Sequence, residues 1–260
     1  MASCIYKDKI KVSVRIAHIH SKNNENVDTI TSKLNTSTNS ILVKNPKDDK
    51  KEVKIFNFDN VFDHLTSQEE IFNTCAQSVI ENVINGYNGA IISYGVSGSG
   101  RSYTMNGDGD NIGDFGIIPR SITYIFDLIK ERNNSEKYSV KVSYYRHNTA
   151  FDEIEDLLND DPNQIVKIKE SKELGTYIQN LSTVPTKNSN EMYEYFIKGK
   201  NKFTREFTSF FTVTIDSIKT TKSDDSSIKN STRTGRPGIV KIHINVVINI
   251  LRKLNTLVNH

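Results

Sequence analysis

The chain has 260 residues, 36% of them hydrophobic and 25% charged, enough apolar material for one substantial core. Lys and Arg total 34 against 31 Asp and Glu, and the net charge of +3 excludes a globally basic nucleic-acid coat and an acidic tail. Mean hydropathy is −0.50, no apolar run approaches the ~18 residues of a membrane span, and two cysteines, Cys4 and Cys75, cannot build a disulfide framework. No membrane and no nucleic-acid partner is expected, and the compartment expected is the reducing cytoplasm. Met1 to Val12 lacks the apolar centre of a signal peptide.

In chain order, Ile10, Val12, Val14 and Ile16 alternate as a half-buried strand does. Ser21 to Lys54 is polar and reads as loops and short edge strands, and Val53, Ile55 and Phe58 suggest another strand. Thr66 to Glu70 holds two overlapping capping boxes. The helix behind them carries Ile71, Phe72, Cys75, Val79, Ile80 and Val83 on one face and ends at Gly86. Ala90 to Tyr94 is a short apolar run before a glycine cluster, so a buried strand. Pro119 opens a helix with Ile122, Ile125, Phe126 and Ile129 on one side. Val140, Val142 and Tyr144 predict a strand, Asn190 to Lys200 a helix, and Phe207 to Ile218 a strand. Lys219 to Pro237 reads as an irregular loop of Thr, Ser, Asp and Lys. Strands interleaved with helices imply an α/β sheet with helices on its faces.

The end of the chain carries two patterns. Val240, Ile242, Ile244, Val246, Ile248 and Ile250 alternate as a strand, whereas Ile239, Ile242, Val246, Ile250, Leu254 and Leu257 fit a helix.

One motif carries chemistry. Gly95-Val96-Ser97-Gly98-Ser99-Gly100-Arg101-Ser102 follows G-x-x-x-x-G-K-[ST] with Arg in the Lys slot. In such a loop, backbone N–H groups converge on phosphate oxygens and glycines let the main chain approach without Cβ clashes. The Ser102 hydroxyl would hold Mg²⁺. As a bare pattern the same residues could form a simple Gly/Ser turn; a strand before and a helix after favour the phosphate loop.

The flanking residues resemble the kinesin motor domain: Gly86 to Gly95 before the loop, Tyr103-Thr104-Met105-Asn106-Gly107 after it, then Gly116-Ile117-Ile118-Pro119-Arg120. Phe58 to Asp63, Gln68 to Phe72, Val142-Ser143-Tyr144, Asp156-Leu157-Leu158, Arg233-Thr234-Gly235 and His243-Ile244-Asn245 continue the match in order. Ile129 to Arg132 lies nearest the ninth, axonemal kinesin family. The resemblance implies a three-layer P-loop NTPase fold of kinesin motor type, an α/β domain with a central, mostly parallel sheet, helices on both faces and an incomplete C-terminal end. It implies one motor-like domain over 1–260, with 9–218 better matched, 219–237 a loop and 238–260 a terminal helix. The helical reading of the last segment follows from it. ATP or ADP with Mg²⁺ would sit on residues 95–102, with Tyr103 stacking on adenine. Arg15, from Arg15-Ile16-Ala17-His18, would stand on the adenine side, although Ala17 and His18 depart from the family's Arg-x-Arg-Pro. A solvated strand residue at Arg15 and a packed aromatic at Tyr103 are the plainer alternatives. Lys241, Arg252 and Lys253 could face the acidic microtubule surface, or simply form a solvated face.

Several departures point away from an active motor. Arg is planar and forked where the family has a compact ammonium, so Arg101 is not an innocent replacement. Between Lys202 and the next strand the chain is about ten residues short of the family's Asn-x-x-Ser-Ser-Arg-Ser-His sensor region, and Thr204, Arg205 and Ser209 are poor substitutes. No Asp-Leu-Ala-Gly-Ser-Glu follows Ile218. Phe210 to Asp216 could be misread as a strand ending in a metal-binding carboxylate, but chain order argues for a structural role. No coiled coil or neck is encoded, so no self-made walking dimer is expected. The reading is a kinesin-like ATP- and microtubule-binding domain of the microtubule cytoskeleton, with the cilium as the narrower location, and with weak or lost ATPase activity. A structural pseudo-motor without nucleotide and an active motor whose sequence is incomplete are the alternatives. A small P-loop kinase or GTPase would need a second carboxylate strand that is not seen.

Overall fold

The structure, a computed structural model, describes residues 10–16, 32–44, 53–96, 98–109, 111–132, 136–148, 153–161, 164–172, 175–202, 208–219 and 242–248. Two compact units appear, 1–67 and 68–260. Among the described residues no helix is long and apolar enough to cross a membrane.

The first unit holds β1 (Ser13–Arg15), β2 (Ser32–Asn35), β3 (Ser40–Lys44), β4 (Val53–Asn57) and β5 (Asn60–Phe62). β2, β3 and β4 form an antiparallel meander within the polar stretch, and β1 pairs parallel with β5. Asn39 turns left-handed at φ 49°, and its side-chain carbonyl accepts the Val61 N–H at 3.2 Å. An Asn tolerates that region because its short amide can bond the local backbone.

The second unit begins with α1 (Gln68–Cys75) and α2 (Gln77–Ile84). The single helix expected here kinks at Ala76, yet Ala76 N–H still donates to Phe72 O at 2.9 Å and Ile80 N–H to Ala76 O at 3.1 Å. Gly86, at φ 104°, ends it as the glycine signal predicts. There follow β6 (Gly89–Ser93), α3 (Arg101–Asn106), α4 (Ile117–Arg132), β7 (Glu136–Asn148), β8 (Glu153–Asp156), β9 (Lys167–Ser171), β10 (Gly175–Gln179), β11 (Val184–Thr186), α5 (Ser189–Asn201), β12 (Thr208–Lys219) and β13 (Ile242–Ile248). Asn188 caps α5, its side chain accepting the Glu191 N–H at 2.9 Å.

The main sheet runs β11-β7-β12-β13-β6, with β8 also on β7. Ile244 stands in register with both Val213 and Gly89, so these positions share a face. On that face a Cβ at Gly89 would meet Val79 of α2 at 2.6 Å, and Phe196 of α5 packs on Tyr144 and Phe211. α4 joins the two: Tyr124 OH donates to Glu81 Oε1 of α2 at 2.6 Å. The core is this helix layer (Ile80, Val83, Ile122, Ile125, Met192, Phe196) against Val142, Tyr144, Val213 and Ile215, all buried. The opposite face carries Phe210 stacked on Tyr145, centroids 4.7 Å apart, and an exposed Ile92.

One expectation is corrected in detail within the α/β class. The sheet is not mostly parallel: β13–β6 is its one parallel pair among the described residues. Strand–helix alternation predicts parallel pairing only when each crossover is one helix; here β8 to β11 intervene between β7 and β12, and the chain returns antiparallel. α2 and α5, the helices placed by register, share one face of the sheet.

The terminal helix expected over 238–260 is also corrected: 242–248 is a strand. It pairs antiparallel with β12 along its length and, from Ile244, parallel with β6. The alternation read at first was the operative signal. Without this segment β6 and β12 would be two open edges, each with unpaired N–H and C=O groups. β-branched residues at 242, 244, 246, 247 and 248 favour the extended form in such a slot. Of the loop expected over 219–237, only Lys219 is described, as the end of β12; the remainder lies outside the described residues.

Tyr144 lies beneath Gly199, where an added Cβ would come 2.1 Å from its ring. Gly199→Ala is expected to destabilise the fold by about 1–3 kcal/mol in urea unfolding, because a packed core yields poorly to an extra methyl. Tyr144→Phe is expected to be neutral or stabilising, since its hydroxyl is buried without a partner among the described residues.

Candidate functional site

β6 delivers the chain to the glycine loop, and α3 begins at Arg101, so the motif has the strand–loop–helix setting its chemistry requires. Gly98 and Gly100 adopt φ +83° and +87°, and among the described residues nothing lies within 4 Å of the place a Gly98 Cβ would occupy. That arched, unfilled backbone is the shape through which N–H groups approach an anion. Ser99 N–H closes a turn on Val96 O at 3.2 Å. The Ser99 hydroxyl is buried with no hydrogen-bond partner among the described residues. An open space at Gly98 and an orphaned hydroxyl at Ser99, which lies beside Gly95, are features that fit a polyphosphate. The helix contributes little dipole, being only six residues long.

Arg101 folds back over the loop, its Cδ 3.8 Å from the position of a Gly95 Cβ. Burial lowers the guanidinium pKa from its ordinary value. Ser102 and Tyr103 are exposed, Tyr103 at 43%. Ser97 lies outside the described residues, as do Thr204, Arg205, Lys241, Arg252 and Lys253. Arg15 belongs to the first unit, where its Nη2 donates to Thr66 O at 3.2 Å and its backbone is in register with Phe62. The structure therefore brings together Gly95, Val96, Gly98, Ser99, Gly100, Arg101, Ser102 and Tyr103 on one loop and helix start.

Register locates the remaining candidates. Ser93, the last residue of β6, aligns with Ile248, and Ile248 with Ser209. Ser209 is fully buried, its hydroxyl unpartnered among the described residues. It thus stands at the loop end of the sheet. Asp216 stands seven residues further along β12, about 24 Å away at ~3.4 Å per residue. There it meets Lys141 Nζ at 3.3 Å. The structural reading of that carboxylate holds, and it cannot serve the loop. β13, the strand beside β6, reads Ile-His-Ile-Asn-Val-Val-Ile and contains no carboxylate.

Sequence reasoning missed one polar group. Gln68, read as part of a cap and of the family match but given no role at the site, is 4% exposed, and its Nε2 donates to Tyr103 O at 2.8 Å. The sequence signal was weak, since a Gln at a helix start has an ordinary capping explanation.

At the same end, Lys198 and Lys202 of α5 converge on Asp160, donating to its two carboxylate oxygens at 2.6 Å each. Arg146 Nη1 donates to Lys202 O at 2.8 Å. These bonds anchor the end of α5.

A strand, glycine loop and helix at one margin of an α/β sheet define a P-loop protein. The sequence profile of the kinesin motor domain matches residues 14–214, well over half of the chain and across both units; the chain belongs to the kinesin motor domain family. It is 33% identical over 222 residues to kinesin-like protein klp-20 of Caenorhabditis elegans, covering 82% of this chain and 34% of that protein. It is 37% identical over 147 residues to the kinesin heavy chain of Syncephalastrum racemosum, 56% of this chain and 15% of the other. Kinesin-like protein 3 of Schizosaccharomyces pombe is 35% identical over 144 residues, 55% and 26% respectively. The matched part is thus about a third or less of each relative.

The two lysines, Lys198 first, hold the Asp160 carboxyl down at about 2 from an ordinary 3.8. A depressed carboxylate stabilises the fold fully above its unfolded value and loses that contribution as pH falls through the folded one. Acid unfolding followed by circular dichroism is therefore expected to respond to this clamp between about pH 4 and pH 2, and Asp160→Asn is expected to flatten that part of the profile.

Proposed function

We propose that this chain is a kinesin-type domain that binds ATP or ADP through the backbone of residues 95–102 and hydrolyses it feebly or not at all. The observation that carries the binding half is the left-handed backbone at Gly98 and Gly100, open at Gly98, together with an unpartnered Ser99 hydroxyl in the same loop. Main-chain donors do not depend on the residue at 101, so phosphate binding tolerates Arg there. Ser102 would hold Mg²⁺, Tyr103 would stack on the base, and Arg15 would stand on the adenine side, by the family resemblance. When bound, the Mg²⁺-nucleotide supplies the transferable phosphoryl group; this chain's part is to cradle and orient it.

The impaired half rests on what lies beside the loop. Phosphoryl transfer is catalysed by positioning and charge neutralisation. A carboxylate that assists the metal must stand at the loop end of the sheet, on or next to β6. β13 carries none, and Asp216 is at the far end. The stretch where the family reads the terminal phosphate is short and reads Phe-Thr-Arg-Glu-Phe at 203–207. Microtubules are the partner implied by the family, with Lys241, Arg252 and Lys253 as candidate contacts and the microtubule cytoskeleton as the location. The ninth, axonemal branch and the cilium rest on the general character of the sequence, including Ile129 to Arg132.

A second reading, a structural pseudo-motor without nucleotide, is favoured by the Ser99 N–H already being used within the loop. Thermal unfolding separates the two. Millimolar Mg-ADP is expected to raise the melting temperature by several degrees, by ligand linkage; no shift would favour the pseudo-motor. Phosphate release with microtubules is expected to stay at the buffer level, and Arg101→Lys is expected to leave it there, because the strand beside β6 still lacks a carboxylate. Microtubule-stimulated release by the unaltered chain would refute the impaired reading and favour a complete motor.

A further inference from the structure

α3 has six residues, too few to hold a helical position by its own hydrogen bonds. Its placement is a tertiary matter, and two donors meet on one of its carbonyls. Tyr103 O accepts the Gly107 N–H at 2.9 Å, which closes the helix, and the Gln68 side-chain amide at 2.8 Å, which comes from the start of α1. Gln68 is 4% exposed, while Tyr103 is 43% exposed. A buried amide that donates to a carbonyl helps to fix that peptide, because breaking the bond would cost a side chain held out of water one of its partners. The peptide so fixed carries the Cα from which the Tyr103 ring projects. The phosphate arch lies at the other end of this segment, at Gly98 and Gly100, and is shaped by its own left-handed glycines.

We propose that Gln68 is a positioning residue for base recognition: it sets the orientation of Tyr103 and so tunes affinity for the adenine portion of the nucleotide, leaving phosphate affinity to the glycine loop. The inference rests on the reading of residues 95–103 as a nucleotide site and adds a residue that the loop motif does not contain. An amide is suited to the task because it donates at any pH. A carboxylate at 68 would face the Tyr103 carbonyl oxygen and repel it until protonated, when it could donate again.

The test uses the full chain and two probes, Mg-ADP and inorganic tripolyphosphate with Mg²⁺, measured by calorimetry or equilibrium dialysis. Gln68→Met keeps the length of the side chain and removes the donor. It is expected to raise the Kd for Mg-ADP roughly five- to tenfold and to leave tripolyphosphate binding unchanged. In the Tyr103→Ala background the same substitution is expected to have little further effect. Gln68→Glu is expected to weaken Mg-ADP at pH 8 and to recover as the pH falls towards 5.5, with no such trend for tripolyphosphate. Thermal unfolding of each ligand-free variant controls for loss of fold. Equal weakening of both probes, full additivity with Tyr103→Ala, or no change in either probe would overturn the positioning role. Failure of the unaltered chain to retain either probe removes the nucleotide reading itself, and the inference with it.

Discussion

β6 carries the glycine loop, and among the described residues its strand partner is β13. That ladder of main-chain hydrogen bonds is the constraint on which the rest of the site depends. β12 grips β13 on its other side, so β13 is the member through which the loop-bearing strand joins the long β7–β12 pair. Take it away, and the strand that aims the loop hangs from its own edge. The helix layer would still cover one face through Gly89 and Val79, but apolar contact is non-directional and does not set register.

Backbone pairing asks little of side chains, so an Ile- and Val-rich segment can complete the sheet. The stretch of chain with helical spacing as well as alternation could do this because the two patterns share Ile242 and Val246.

Several smaller devices keep the loop end of the sheet in place. Arg120 donates to the carbonyls of Phe115, Ile112 and Gly113, holding the turn that follows α3. Gly107 and Gly116 allow their backbones to cross, since a Cβ on either would meet main-chain atoms within 2.6 Å. Lys198, Lys202 and Arg146 tie the end of α5 to the segment after β8. Each limits how far its surroundings can drift.

Much of the fold was legible from local pattern. The loop at 95–102, its strand and helix, the Pro119 helix, and the strand at 208–219 follow from hydrophobic period, glycine and proline, which act within a few residues and so are written locally. The order and direction of strands were not, because β8 to β11 change the sense of the return to β12 and no local pattern records that. The last strand was undecidable locally: 242–248 satisfies two periods, and only the presence of open edges on β6 and β12 selects one. Gln68 likewise looked like a capping residue until Tyr103, 35 positions away, supplied the carbonyl it donates to. By itself the sequence determined the order of strand, glycine loop and helix and the identity of the family. Tertiary structure alone decided which segment completes the sheet, which end of it Asp216 occupies and which buried amide holds Tyr103, because each of these turns on partners brought together by backbone pairing across long stretches of chain.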